Sequence, residues 1–154
     1  MAVSWAKGSR FKTDASIAKE VMDQLSAEGR LSPAELVEVS RPVDAPLHNE
    51  FEWDDQVAAQ LWREKTGQIM IASIVITPDK EEEAQPVRAY FNIERGTHEY
   101  IPTEVIYSDE AKKARLLDIA KRELLSFKAK YQTLTELAGV MNAIDDVIRE
   151  DKGG

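Results

Sequence analysis

The chain has 154 residues, 43% of them hydrophobic and 31% charged, with a formal net charge of −8 and no cysteine. That length suits one ordinary domain, or a small domain with an appended helical segment. The missing cysteines exclude disulfides, thiolate nucleophiles, Cys-ligated zinc and iron–sulfur clusters together.

Residues 1–13 are polar and basic (Lys7, Arg10, Lys12) and read as a flexible basic arm. MAVSWAKGSRFKTD contains no apolar core of signal-peptide length, and the longest apolar run, IMIASIVI at 69–76, is too short to span a bilayer. A soluble, intracellular protein is therefore expected.

Asp14 suits the N-cap of a first helix carrying Ile17, Val21 and Leu25 on one face, with Gly29 in the left-handed position that ends it. LSPAELVEVSR starts a second, short helix, with Ser32 as N-cap, Pro33 at the first helical position and Glu35 in the first turn. Pro42 and Pro46 stop it. A third helix is expected from about Trp53, capped by Asp54 or Asp55, with Val57, Ala58, Leu61, Trp62 and Ile69 on overlapping faces and an end near Ser73.

TPDKEEEAQP at 77–86 is a loop, with a proline near each end and a self-repelling acidic run. VRAYFNI and HEYIPTEVI read as the two strands of a β-hairpin, with Gly96 where a positive φ is needed. Ser108 or Asp109 caps a long amphipathic helix in which Leu116, Ala120, Leu124, Phe127 and Tyr131 recur at spacings of three and four. A last helix places Leu134, Leu137, Met141, Ile144 and Ile148 on a narrow, coiled-coil-like seam. TLTE at 133–136 has the form of a capping box, so a break between these two helices is expected.

These elements predict an α+β protein: an N-terminal three-helix, winged-helix-like unit, a β-hairpin and a C-terminal helical pair. The domain reading is an arm at 1–13, a helical unit with the hairpin at 14–107, and helices at 108–150 that pack on it or dimerise. Three helices followed by a hairpin is the element order of a winged helix-turn-helix. The loop of about ten residues before the third helix is long for that motif, where three or four is usual.

GRLSPAELVEVSRPVDAPLHNEFEWDDQVAAQLWREKTGQIMIASI, then VRAYFNI, then RELLSFKAKYQTLTELAGVMNAID resembles small proteins encoded in tailed-phage genomes and prophages. The landmarks are LSP, PLH, FEWDD and AA..WR, and the resemblance covers about Ala15 to Asp145. It implies a viral or prophage origin and action in the host cytoplasm, and it carries over no catalytic residue.

Chemistry-bearing clusters are few. Glu50, Glu52, Asp54 and Asp55 beside His48 supply oxygen and imidazole groups, but the calcium-loop spacing fails for want of its glycine and distant glutamate. Helix capping by Asp54 and Asp55 accounts for half of the cluster, with Glu50 and Glu52 alternating outward and Phe51 and Trp53 inward. No metal site and no cofactor is expected. His48 and His98 lack evident partners, and there is no Gly-rich phosphate loop, HExxH or GxSxG, so no enzyme is expected.

For nucleic acid the candidates are Lys7, Arg10 and Lys12 in the arm, Arg63 on the third helix, and Arg88 and Arg95 on the hairpin. A second basic patch runs through Lys112, Lys113, Arg115, Lys121, Arg122, Lys128 and Lys130, with a solvated helix face as its plainer reading. Against DNA stands the charge map. Residues 31–66 carry eight acids against three cations, and 67–108 carry seven against three. The first reading is thus a non-enzymatic phage DNA-binding accessory protein. The rival is a protein–protein adaptor or virion assembly component, or an acidic inhibitor of a host nucleic-acid-binding protein. No membrane partner is expected. The candidate self-association interface is Leu134, Leu137, Met141, Ile144 and Ile148, which either dimerises or folds back on the preceding helix.

Overall fold

The structure, a computed structural model, describes residues 2–6, 8–77, 85–94, 96–97 and 99–152. It is α+β and mostly helical, with two small antiparallel strand pairs among the described residues. Two units divide the chain, residues 1–65 and 66–154, and the boundary falls inside the third helix.

In the first unit, α1 (Ala15–Ala27) starts where Asp14 accepts hydrogen bonds from the Ser16 N–H at 2.8 Å and its hydroxyl at 2.6 Å. It ends in a Schellman motif: the Arg30 N–H donates to the Leu25 carbonyl at 2.8 Å and the Gly29 N–H to Ser26 at 2.9 Å, with Gly29 at φ +69°. Arg30 then bridges Glu28 and Glu35, tying the turn to α2 (Pro33–Ser40). There Ser32 caps the Glu35 N–H at 3.2 Å with Pro33 at the first helical position, as the sequence predicts. A 3₁₀ turn follows at His48–Glu50. The core of this unit is small: Ala18, Leu25, Leu47 and Ser40, whose hydroxyl returns to the Leu36 carbonyl at 2.7 Å.

α3 (Asp55–Ser73) is capped by Asp54, which accepts from the Gln56 and Val57 N–H groups at 2.9 and 3.2 Å, and it ends at the expected residue. The remaining apolar residues of IMIASIVI leave the helix and form β1 (Val75–Ile76), which pairs antiparallel with β2 (Val87–Arg88). The second pair is β3 (Tyr90–Phe91) with β4 (Ile101–Pro102). Ala89 links the two pairs, its N–H donating to the Ile74 carbonyl at 3.0 Å and its carbonyl accepting from the Thr103 N–H at 2.9 Å. Segment 87–91 is therefore flanked by chain on both edges, and the buried Thr103 hydroxyl also donates to the Arg88 carbonyl at 2.5 Å.

The second predicted strand, HEYIPTEVI, is mostly something else. After Pro102, which sits at the N-cap with φ −58° and ψ 140°, the chain coils into α4 (Thr103–Tyr107). This turn carries Ile106 into full burial, together with Ala89 and Ile93. α5 (Glu110–Tyr131) starts on Asp109, whose carboxylate accepts from the Lys112 N–H at 3.1 Å. The predicted break is present at 132–137 as a 3₁₀ turn (Thr135–Leu137), although without a side-chain cap, and α6 (Ala138–Lys152) follows.

Candidate interaction surfaces

The stretch around His48 is a closed structural cluster. Trp53 stacks on the His48 ring, centroids 5.0 Å apart and 9° from parallel, with the Arg41 guanidinium 5.7 Å from the indole centroid. The indole N–H donates to the His48 carbonyl at 2.7 Å, and His48 Nδ1 lies 2.9 Å from the Ser40 carbonyl. The indole N–H and the imidazole Nδ1 are thus both used in holding the turn before α3. No group of three or more His, Asp or Glu side chains converges as a metal site would among the described residues.

Glu50 departs from the expectation that it points outward. Its Oε1 accepts from the Lys12 N–H at 2.9 Å, the Thr13 N–H at 2.6 Å and the Thr13 hydroxyl at 2.7 Å. The Thr13 hydroxyl first, and then its amide, hold this carboxyl below the usual Glu value. Trp5 adds a hydrogen bond to the Thr13 carbonyl at 2.7 Å and packs its ring 4.7 Å from Phe11. An aromatic pocket of about 320 Å³ results, lined by Trp5, Phe11, Leu36, Leu47 and Phe51. No local pattern signals this clasp, because its two halves lie 37 residues apart in sequence.

Of the nucleic-acid candidates, Lys7 and Arg95 lie outside the described residues. Arg10 and Lys12 are exposed beside the clasp, with Arg10 5.9 Å from the Phe11 centroid. Arg63 is exposed on α3, next to Trp62, which the periodicity places inward but which is 68% exposed. Arg88 lies over the Phe91 ring at 5.0 Å. Arg10, Lys12 and Arg63 belong to the first unit and Arg88 to the second. Within the second unit four cations of the other basic patch pair with carboxylates: Lys112 with Asp109, Arg115 with Glu94, Arg122 with Asp118 and Lys128 with Asp145.

The predicted interface residues are brought together, but against their own chain. Met141 and Ile144 are buried, Leu137 and Ile148 half-buried, and Lys128–Asp145 ties α6 to α5, whereas Leu134 stays exposed. What remains open is a row on α5: Leu117, Ala120, Leu124 and Phe127 are exposed at spacings of three, four and three, with Tyr131 continuing it. Leu117, 54% exposed, belongs to this row rather than the half-buried Leu116 that the sequence reading placed there. The heptad spacing was the signal that could have found it.

No protein family, curated protein or solved structure matches this chain. Among the described residues, no helix is long and apolar enough to cross a membrane.

Proposed function

We propose that the chain is a non-enzymatic protein–protein adaptor or assembly component of a tailed phage or prophage. The observation that carries this reading is the state of α5: its apolar row is open while Lys112, Arg115, Arg122 and Lys128 are engaged with acids of the same unit. A phosphate-binding helix would show the reverse, with free cations and covered leucines. Exposed apolar rows of this kind mark protein contact surfaces. The phage assignment is supported by the LSP, PLH, FEWDD and AA..WR landmarks.

A second reading, a DNA-binding accessory protein of winged-helix-like organisation, is favoured by Arg63 and Lys65, which follow the largely exposed Trp62 on α3. Cations interleaved with an aromatic suit phosphate contact and base stacking. Fluorescence anisotropy with labelled duplex and single-stranded DNA at two salt concentrations separates the readings. The adaptor reading expects no binding by micromolar protein even near ~50 mM salt, whereas affinity that falls steeply with salt overturns it.

A further inference from the structure

We propose that the open face of the α5–α6 hairpin seats a second copy of this chain, α5 of one copy lying against α6 of the other in a four-helix bundle. This deepens the adaptor reading and rests on it for the choice of a protein partner. The seam inside each chain is already closed by Met141, Ile144 and the Lys128–Asp145 pair. Beside that seam on α6 stand Val140 and Val147, one heptad apart and 48% and 40% exposed. At about 100° per residue, these valines and the row Leu117–Ala120–Leu124–Phe127 stand on the same side of the antiparallel helix pair. On this geometry they make one apolar face two helices wide, bordered at its Leu117–Ala120 end by Phe91 and Tyr107.

Charge selects the occupant and its orientation. Residues 109–131 carry seven cations against four acids, and 132–154 carry two against five. Laying α5 on a second α5 would oppose like charges. Laying it on the partner's α6 opposes unlike ones, makes every neighbouring helix antiparallel, and covers both apolar rows at once. A two-helix face of this length has a footprint of the order of the ~800 Å² per partner that a stable complex buries.

The experiment is sedimentation equilibrium of the full chain across the micromolar range. Twice the 17.3 kDa chain mass is expected for the wild type. Leu124→Glu and Val147→Glu, on the two different helices, should each weaken dimerisation at least tenfold with helical circular dichroism unchanged. Val43→Glu, at an 84% exposed site of the other unit, should leave the mass at the dimer value. Should Leu124→Glu lose helicity, Val140→Ser with Val147→Ser is read in its place. A wild type that stays monomeric throughout, or a dimer indifferent to substitutions on this face, overturns the proposal. Its failure is distinct from failure of the adaptor reading, which the DNA titration decides: a monomer that ignores DNA sinks only the dimer, and a dimer that binds DNA with steep salt dependence sinks only the adaptor.

Discussion

The two units hold themselves together by different means. Unit 1–65 relies on polar and aromatic fastenings around a small core: the Glu50 clasp on Thr13, the His48–Trp53–Arg41 stack, a capped start and a Schellman end on α1. Unit 66–154 buries a few apolar side chains, Ile106 on α4 foremost, where α4 meets α5 and β4, and leaves much of its longest helix uncovered. A unit fastened by oriented polar contacts has its partners already assigned. The second unit instead exposes Leu117 and Leu124 one heptad apart on a single helix, the feature on which the proposed dimer rests.

The strongest way to break the comparison is Ile106→Ala. Ile106 is 0% exposed, and emptying such a site costs about 2–5 kcal/mol. All three tryptophans, Trp5, Trp53 and Trp62, lie in residues 1–65, so their fluorescence reports that unit alone. The expected result is a lowered thermal midpoint by helical circular dichroism with an unmoved fluorescence midpoint. Equal falls in both would make the two units one cooperative body.

Gly29→Ala tests the other side. At φ +69° an L side chain is strained although no atom crowds the new Cβ, and about 1–2 kcal/mol is expected. Here the fluorescence transition should move and Ile106's unit should not. Asp109→Ala removes the cap that the Lys112 N–H uses and should lower the stability of the second unit. Circular dichroism should register it, with a smaller shift than for Ile106→Ala.

How far these features could be read beforehand follows from the range of the interaction. Caps are local: Asp14, Ser32 with Pro33, Gly29, Asp54 and Asp109 act within a few residues, and each stands where the sequence predicts. The break after Tyr131 also stands where TLTE placed it, although Leu134 precedes the 3₁₀ turn there and no side-chain cap forms, so the position was legible and its cause was not. Strands two residues long have no period to detect, so IMIASIVITP could be read as helix or strand and the pairing of β1 with β2 was not foreseen, while α4 was read as strand because Val105 and Ile106 favour that state. Trp62 shows the limit of periodicity, since amphipathic spacing reveals an apolar face but not whether anything covers it.

The smallest expected effect is the most specific to the first unit. Glu50 has its pKa lowered, first by the Thr13 hydroxyl and then by backbone N–H groups, so the folded clasp favours the carboxylate. A depressed carboxyl pKa contributes stability that is present above the ordinary Glu value of 4.5 and lost as pH falls through the depressed one. Acidification across that window should therefore loosen the clasp, and Trp5, hydrogen-bonded to the Thr13 carbonyl, should report it as a fluorescence change. Glu50→Gln keeps an acceptor oxygen but loses the charge and the titration, so its Trp5 signal should be flat over the same range. Asp109 has a lowered pKa too, through its hydrogen bonds with Lys112, but it lies in the other unit, and Asp14, lowered by its bonds from Ser16, is retained in Glu50→Gln, so the variant separates its titration from that of the clasp. An acid transition in Trp5 fluorescence that survives Glu50→Gln would place the proton elsewhere and remove the clasp from the account of how this unit is fastened.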